Sequence, residues 1–454
     1  MTRTAAVLSL AVVLSSLAEG RAVADEPPRP VPDYDGRPDE PPAVGEVLIW
    51  IPRTLLFPGY LVTEYVVRQP LGAFVTWLER QKVIQQAYGL LTFGSGGKFG
   101  IFPTGLFDFG LRPSVGLYAF IDPFLHPDNR FRVSAAYGGP DWTSVGVKER
   151  FILADDDGGE IILRGGYSRR PDFPFYGVGS DARQTDETYY RLSRWEGVAS
   201  IGLRSEHFGF TSELRAVSEE RDESDFGVPT QDFFGPGSDL PEYFFDAGVS
   251  DFDAGILIEQ RLALYADTRG RGATFQGSGT GARLDLRGGL GWNPEALSAQ
   301  RWFRYGGEAS LFLDLDGTRR VFGLNASVDA VHSVGGDLIP MTALVGLGGL
   351  ETMRAFYEGR FLGQSGATAS LEYRWPVASF IDAELFASVG NVFGESFEGF
   401  DLDKLAGSGG FALRTNTSRD LSFDVLIAAG TRQFDRGGLE VESIRFALGT
   451  NRGF

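Results

Sequence analysis

From Lys98 to the C-terminus, apolar and polar residues alternate with a period of two, which is the spacing of strands that show one face to an apolar phase and the other to a polar one. The stretch Ala367 to Val377 shows it plainly: Ala367, Ala369, Leu371, Tyr373, Trp375 and Val377 fall on one face, and Ser370, Glu372 and Arg374 on the other. The same split runs through Tyr305 to Leu315, with Glu308, Ser310 and Asp314 on the polar face, and Phe322 to Ala330, with Asn325, Ser327 and Asp329 there. Beyond the N-terminus no apolar run is long enough for a spanning helix, so membrane residence requires a closed barrel, in which every backbone polar group is paired. Sixteen strand-length segments can be marked, from 98–107 to 443–454, among them 188–204, 320–333, 366–377 and 382–393. The predicted fold is therefore an all-β, 16-stranded antiparallel transmembrane barrel, the even count being that of single-chain bacterial barrels.

The connections support this topology. Turns at 154–159, 205–207, 316–319, 378–381 and 417–420 are short, while 171–187, 220–251 and 334–365 are long. Short periplasmic turns and long external loops are the rule for such barrels, which places both termini in the periplasm. The Gly-rich link 267–279 breaks the pattern, either as a longer turn or as a hairpin miscounted there.

The N-terminus reads as an export signal: Arg3, the apolar run Ala5 to Leu17, then Ala22-Val23-Ala24, so residues 1–24 are expected to be cleaved. Residues 25–45, crowded with Pro27, Pro28, Pro30, Pro32, Pro38, Pro41 and Pro42, form a leader unable to build a core. Residues 46–95 change to a helical period broken near Pro52, Pro58 and Pro70. That periplasmic amphipathic segment is either a plug at the barrel mouth or an interfacial helix anchored by Trp50, Tyr60, Tyr65 and Trp77. Residues 96–454 are the barrel.

Composition excludes several functions. There is no cysteine, so disulfides and thiol chemistry are absent. His126, His207 and His332 are scattered without ligand spacing, the acidic turn Asp155-Asp156-Asp157-Gly158-Gly159 lacks the alternation of a calcium loop, and no metal or other cofactor is expected. A formal charge of −18 argues against nucleic acid as a partner. An enzyme is not expected either: the one cluster with nucleophile and base, Asp329 with His332 and Ser333, carries no nucleophile motif.

The loop before the twelfth segment is the most distinctive stretch: Gly346-Leu347-Gly348-Gly349-Leu350-Glu351-Thr352-Met353-Arg354-Ala355-Phe356, then Gly359-Arg360-Phe361 and, on the strand, Ser370-Leu371-Glu372-Tyr373-Arg374-Trp375-Pro376. It resembles the BamA/TamA superfamily of outer-membrane assembly barrels, the bacterial surface antigen family, loosely over 98–454 and specifically over 346–376. The resemblance implies that loop 334–365 is the sixth external loop, folded into the lumen, and that Arg354-Ala355-Phe356 stands for the family's Arg-Gly-aromatic motif. By the same resemblance, Arg354 forms an ion pair with Glu372 that holds the loop tip against the wall. Two departures stand out: Ala355 replaces a glycine, and strand thirteen carries Ser388-Val389-Gly390 where the family has Asp-x-Gly, so one acidic partner is missing. A third is that 25–97 shows none of the family's periplasmic polypeptide-transport domains.

The last segment places Ile444, Phe446, Leu448 and Thr450 outward, with Arg445 inward, and ends on Phe454; an alternating strand closed by an aromatic residue is an assembly signal of outer-membrane barrels. In the first segment Pro103 removes a ladder donor and Gly100 and Gly105 weaken packing, so the seam between first and last strands is expected to be fragile. The expected role is outer-membrane biogenesis, as insertion or assembly of membrane proteins or translocation of lipid or protein; the alternative is a channel or structural barrel. Expected partners are outer-membrane lipid and lipopolysaccharide, client barrels, and either a second copy as a homodimer or a separate periplasmic protein.

Overall fold

The computed structural model describes residues 89–153, 158–234, 255–269, 279–294, 300–315, 317, 319–336, 339–378, 381–415 and 423–450. The signal peptide, the Pro-rich leader, the helical segment up to residue 88, the acidic turn at 155–157, most of loop 220–251 and Phe454 lie outside them.

Sixteen long strands close into one antiparallel barrel. In chain order they are β1 (Phe99–Asp108), β2 (Ser114–Ile121), β3 (Asn129–Gly139), β4 (Trp142–Ile152), β5 (Gly159–Phe175), β6 (Thr188–Arg204), β7 (Phe208–Glu223) and β8 (Gly255–Asp267). They continue as β9 (Gly281–Asn293), β10 (Gln300–Asp314), β11 (Val321–Ser333), β12 (Ser365–Ala378), β13 (Ile381–Phe393), β14 (Ala406–Thr415), β15 (Phe423–Gln433) and β16 (Val441–Thr450). Each pairs with its successor and β16 returns to β1, so the sheet has no free edge along its circumference. Strand β8 pairs directly with β9, from Asp267 opposite Arg283 to Ile258 opposite Trp292, so no further strand stands between them in the barrel and the count of sixteen stands. Within the segment expected to be helical, Thr92 and Phe93 are extended and pair with Gly100 and Phe99 of β1.

The period-two reading holds in three dimensions. Leu311, Leu324, Leu371 and Ile444 are exposed on the outer wall, whereas their neighbours Ser310, Asn325, Glu372 and Arg445 are buried inside. None of the described helices is long and apolar enough to cross a membrane. The outer wall is thus the apolar surface of a membrane barrel, and the interior is polar.

An interior this polar cannot form an ordinary core, and the buried apolar side chains gather where the connection between β11 and β12 enters the lumen. One cluster packs Ile339, Met341, Leu344 and Val345 of that connection against Phe175, Tyr190, Leu257 and Trp302 of the wall. A second packs Leu347, Met353, Ala355, Phe356 and Phe361 against Phe386, Ala412, Leu426 and Ala447 of the opposite wall. The connection therefore spans the lumen and is held at both sides by burial, worth about 1.5–3 kcal/mol for each large apolar side chain taken from water.

Candidate functional site

This connection, loop 6, doubles back as a short hairpin in which Val345–Leu347 pairs with Phe361–Gly363. Between the hairpin arms the chain makes a tight tip. Gly348, at φ +114°, is where the backbone turns, and a Cβ there would collide with the carbonyl of Tyr357. Gly349 is also left-handed, at φ +94°, and its amide donates to the Phe356 carbonyl at 2.9 Å. Met353, at φ +44°, just before the motif, takes the left-handed position and Ala355 does not, so no glycine is needed at 355. Ala355 is wholly buried, its amide donating to Ser408 Oγ at 3.0 Å and its carbonyl accepting from Ser443 Oγ at 2.7 Å.

Arg354 is buried against β12 and β13. Its Nη2 lies 3.1 Å from Glu372 Oε1 and its Nη1 lies 2.5 Å from Glu384 Oε1. The guanidinium stacks 4.6 Å from the centre of the Phe386 ring. Arg374 closes the cluster, 2.5 Å from Glu372 and 3.4 Å from Glu384. Two guanidinium groups thus share two carboxylates, which offsets the cost of removing four charges from water. Burial alone depresses the pKa of Arg354, but the Glu384 and Glu372 carboxylates outweigh it and hold that pKa above the ordinary arginine value.

Glu384 supplies the acid that strand thirteen lacks at position 388. Both residues are on β13 at the same parity, four residues apart, and so face the lumen together. Ser388 instead meets the Met353 sulfur at 3.8 Å, and a Cβ on Gly390 would press on that sulfur and on the Ala367 carbonyl. Phe356 finds room because β15 carries Gly430, where any Cβ would enter the ring.

A second arginine ties the tip to the barrel seam. Arg445 of β16 grips Asp108 of β1 with both ends of its fork, Nε at 3.1 Å and Nη2 at 2.5 Å from the two carboxylate oxygens. Its Nη1 donates to the carbonyls of Gly349, Phe356 and Arg354 at 2.6, 2.8 and 3.2 Å. Tyr357, one residue after the motif, donates its hydroxyl to the Phe109 carbonyl just beyond β1. Burial, with the charges of Asp108 and Glu187, pushes the Tyr357 hydroxyl up to about 12. The parity of the last segment points Arg445 inward, but nothing in the sequence indicates that it meets Asp108 and loop 6.

At the seam the Phe109 amide donates to the Phe446 carbonyl at 2.9 Å. Among the described residues β1 and β16 align at three positions, Ala447 with Asp108, Leu448 with Phe107 and Gly449 with Leu106. Phe446 and Leu448, expected to belong to the C-terminal assembly signal, line the outer face of this junction, Phe446 packing edge-on against Phe107.

At the long-loop end the lumen is roofed. Arg360 is buried, pairs with Glu442 at 3.2 Å and donates to Gln184 Oε1 at 3.0 Å and to the Ala182 carbonyl at 3.1 Å. It stacks on Phe361 and Tyr176. Burial lowers the pKa of Arg360 in spite of the Glu442 charge, and burial beside Glu187 raises that of Tyr176.

The cluster considered for nucleophilic chemistry is not assembled. His332 lies on the outer wall between Glu395, 3.0 Å from Nδ1, and the Tyr305 hydroxyl, 3.1 Å from Nε2, while Asp329 pairs with Arg287 at 3.0 Å. No group of three or more His, Cys, Asp or Glu side chains fit to hold a metal occurs among the described residues.

A closed sixteen-stranded barrel with an apolar outer wall and a lumen-folded sixth loop anchored by an arginine defines an outer-membrane β-barrel. The fold is that of the BamA/TamA-type barrels: BamA from Haemophilus ducreyi lacking POTRA domains 1-3 aligns over 78% of this chain and 70% of its own, with a TM-score of 0.52 and 14% identity. CdiB from Acinetobacter baumannii aligns over 78% of this chain and 60% of its own, with a TM-score of 0.47 and 11% identity. CdiB from Escherichia coli aligns over 77% and 62%, with a TM-score of 0.45 and 11% identity. This chain thus spans less than two thirds of either CdiB. No family model and no curated protein sequence matches it.

Proposed function

We propose that this protein acts in outer-membrane biogenesis, inserting or assembling membrane proteins through an opening between β1 and β16, with its short turns and N-terminal segment in the periplasm. The observation that carries this reading is the seam. It is where the first and last barrel strands meet, and the Arg445–Asp108 ion pair ties them together there. Opening there would offer strand edge to an incoming chain. Pro103, which has no amide to donate, and Gly105 on β1 weaken that edge. The likeness in fold to BamA, an assembly barrel, supports the same reading. In this reading the outer wall contacts outer-membrane lipid and lipopolysaccharide, the client is another barrel, and a separate periplasmic partner or a second copy completes the machine.

The test is reconstitution of the mature chain into liposomes, with the folding rate of an added denatured outer-membrane barrel compared against empty liposomes and an Arg354→Ala variant. Faster folding that disappears in the variant supports insertion activity. Folding at the rate of empty liposomes sinks the stand-alone insertase, and ion conductance in the same vesicles would favour a channel.

A further inference from the structure

Loop 6 touches both sides of the seam. On the β16 side, the Ala355 carbonyl accepts from Ser443 Oγ, Arg360 pairs with Glu442, and Arg445 Nη1 holds three carbonyls of the tip. On the β1 side, Tyr357 bonds to the Phe109 carbonyl, and Asp108 is reached through Arg445. Both Arg445 and Asp108 are buried.

We propose that loop 6 is a strap across the seam and Arg445 its buckle, so that seam opening and withdrawal of the tip are one coupled transition. This rests on the reading of the seam given above and assigns its regulation.

The physical reason is the sharing of one guanidinium. Its fork satisfies the Asp108 carboxylate, and its remaining nitrogen satisfies the tip carbonyls. If β1 moves away, Asp108 loses its bidentate partner, and a buried carboxylate without a partner is costly. If the tip leaves, three carbonyls and the Tyr357 hydroxyl lose their partners at the same moment, and the β1–β16 seam loses the Tyr357 link and keeps only its ladder and the Arg445–Asp108 fork. Each movement removes contacts that resist the other, and such coupling is reciprocal: whatever displaces the tip promotes opening, and whatever opens the seam promotes release of the tip.

The chain has no cysteine, which permits two site-specific readouts in the folded, reconstituted full chain. Nitroxide labels on Phe107→Cys and Leu448→Cys, directly opposite across the seam, report opening as loss of dipolar broadening. In a separate sample, the thiol of Ala355→Cys, wholly buried when the tip is docked, reports withdrawal as reaction with a maleimide. Arg354→Gln frees the tip without altering Arg445 or Asp108, and Arg445→Gln removes the buckle. Each is expected to raise both the unbroadened fraction and the maleimide rate, by about tenfold for coupling of ordinary strength.

Asp108→Asn is the milder variant if heat-modified gel migration shows that Arg445→Gln fails to fold, and it is expected to move both readouts in the same direction. A tip that reacts in Arg354→Gln while the seam labels stay broadened overturns the proposal. So does a seam that opens in Arg445→Gln or Asp108→Asn with the tip still protected, or an Asp108→Asn variant in which neither readout moves. None of these signals depends on insertion activity, so a chain that folds no client can still show the strap, and an active one can lack it.

Discussion

Arg354 Nη1 lies 2.5 Å from Glu384 Oε1, a residue of β13 four positions before Ser388. The lumenal anchor of loop 6 is therefore a two-acid site, with Glu372 on β12 and Glu384 on β13 holding one guanidinium over the Phe386 ring. Arg354→Ala leaves two carboxylates to the single Arg374 and is expected to cost about 3–5 kcal/mol of tip docking. Limited proteolysis of the reconstituted protein checks this: cleavage within 346–360 rises in the variant, and an unchanged cleavage rate refutes the anchor.

The acid absent at Ser388 is not an unfilled vacancy in the cluster, because Glu384 already occupies the position beside Arg354. Ser388→Asp is expected to destabilise the loop, since its carboxylate would face the Met353 sulfur and the Ser408 carbonyl instead of a cation. Combining it with Glu384→Gln is expected to recover part of the loss by letting Arg354 turn to the new acid. A double-mutant cycle on urea unfolding reads the interaction, and additive losses argue against it.

Gly430 is the socket of Phe356, and the ring occupies the space of the missing Cβ. Gly430→Val is expected to expel the ring at about 1–3 kcal/mol. Phe356→Ala in the same chain relieves the overlap, so the double variant is expected to be less destabilised than the sum of the two single ones. Thermal unfolding followed by gel migration provides the comparison.

Tyr357 links the loop tip to the chain beyond β1, and burial with the Asp108 and Glu187 charges pushes its hydroxyl up to about 12. A pKa raised in the docked state means that docking holds the proton more tightly. The stabilisation is complete below the ordinary tyrosine value of about 10 and is lost as pH rises through the docked value. Tip protection measured by protease at pH 9 and pH 11 is expected to fall at the higher pH in the native chain and to fall less in Tyr357→Phe. Equal losses in the two would separate the pH response from this hydroxyl.

Alternation alone settled the barrel, because in a strand the side-chain direction is fixed by the backbone and a period of two leaves only one way to face lipid. It also put Glu372 and Arg445 inside, since parity carries over a whole strand. The resemblance of Arg354-Ala355-Phe356 to a known motif located the tip and one of its two anchors. Parity could not select partners: many charged residues face the lumen, and which of them meet depends on strand register and on the path of a loop some thirty residues long. Glu384 became the second anchor only because β12 and β13 align Arg374 with Glu384 beneath the entering tip. Arg445 met Asp108 only because closure of the barrel brings residues 337 positions apart into one pair. The sequence by itself determined which side of the wall each residue occupies, a local property of the backbone. Closure and the inward fold of loop 6 decided which of those residues form the anchor and which hold the seam, because those contacts join segments that are distant in the chain.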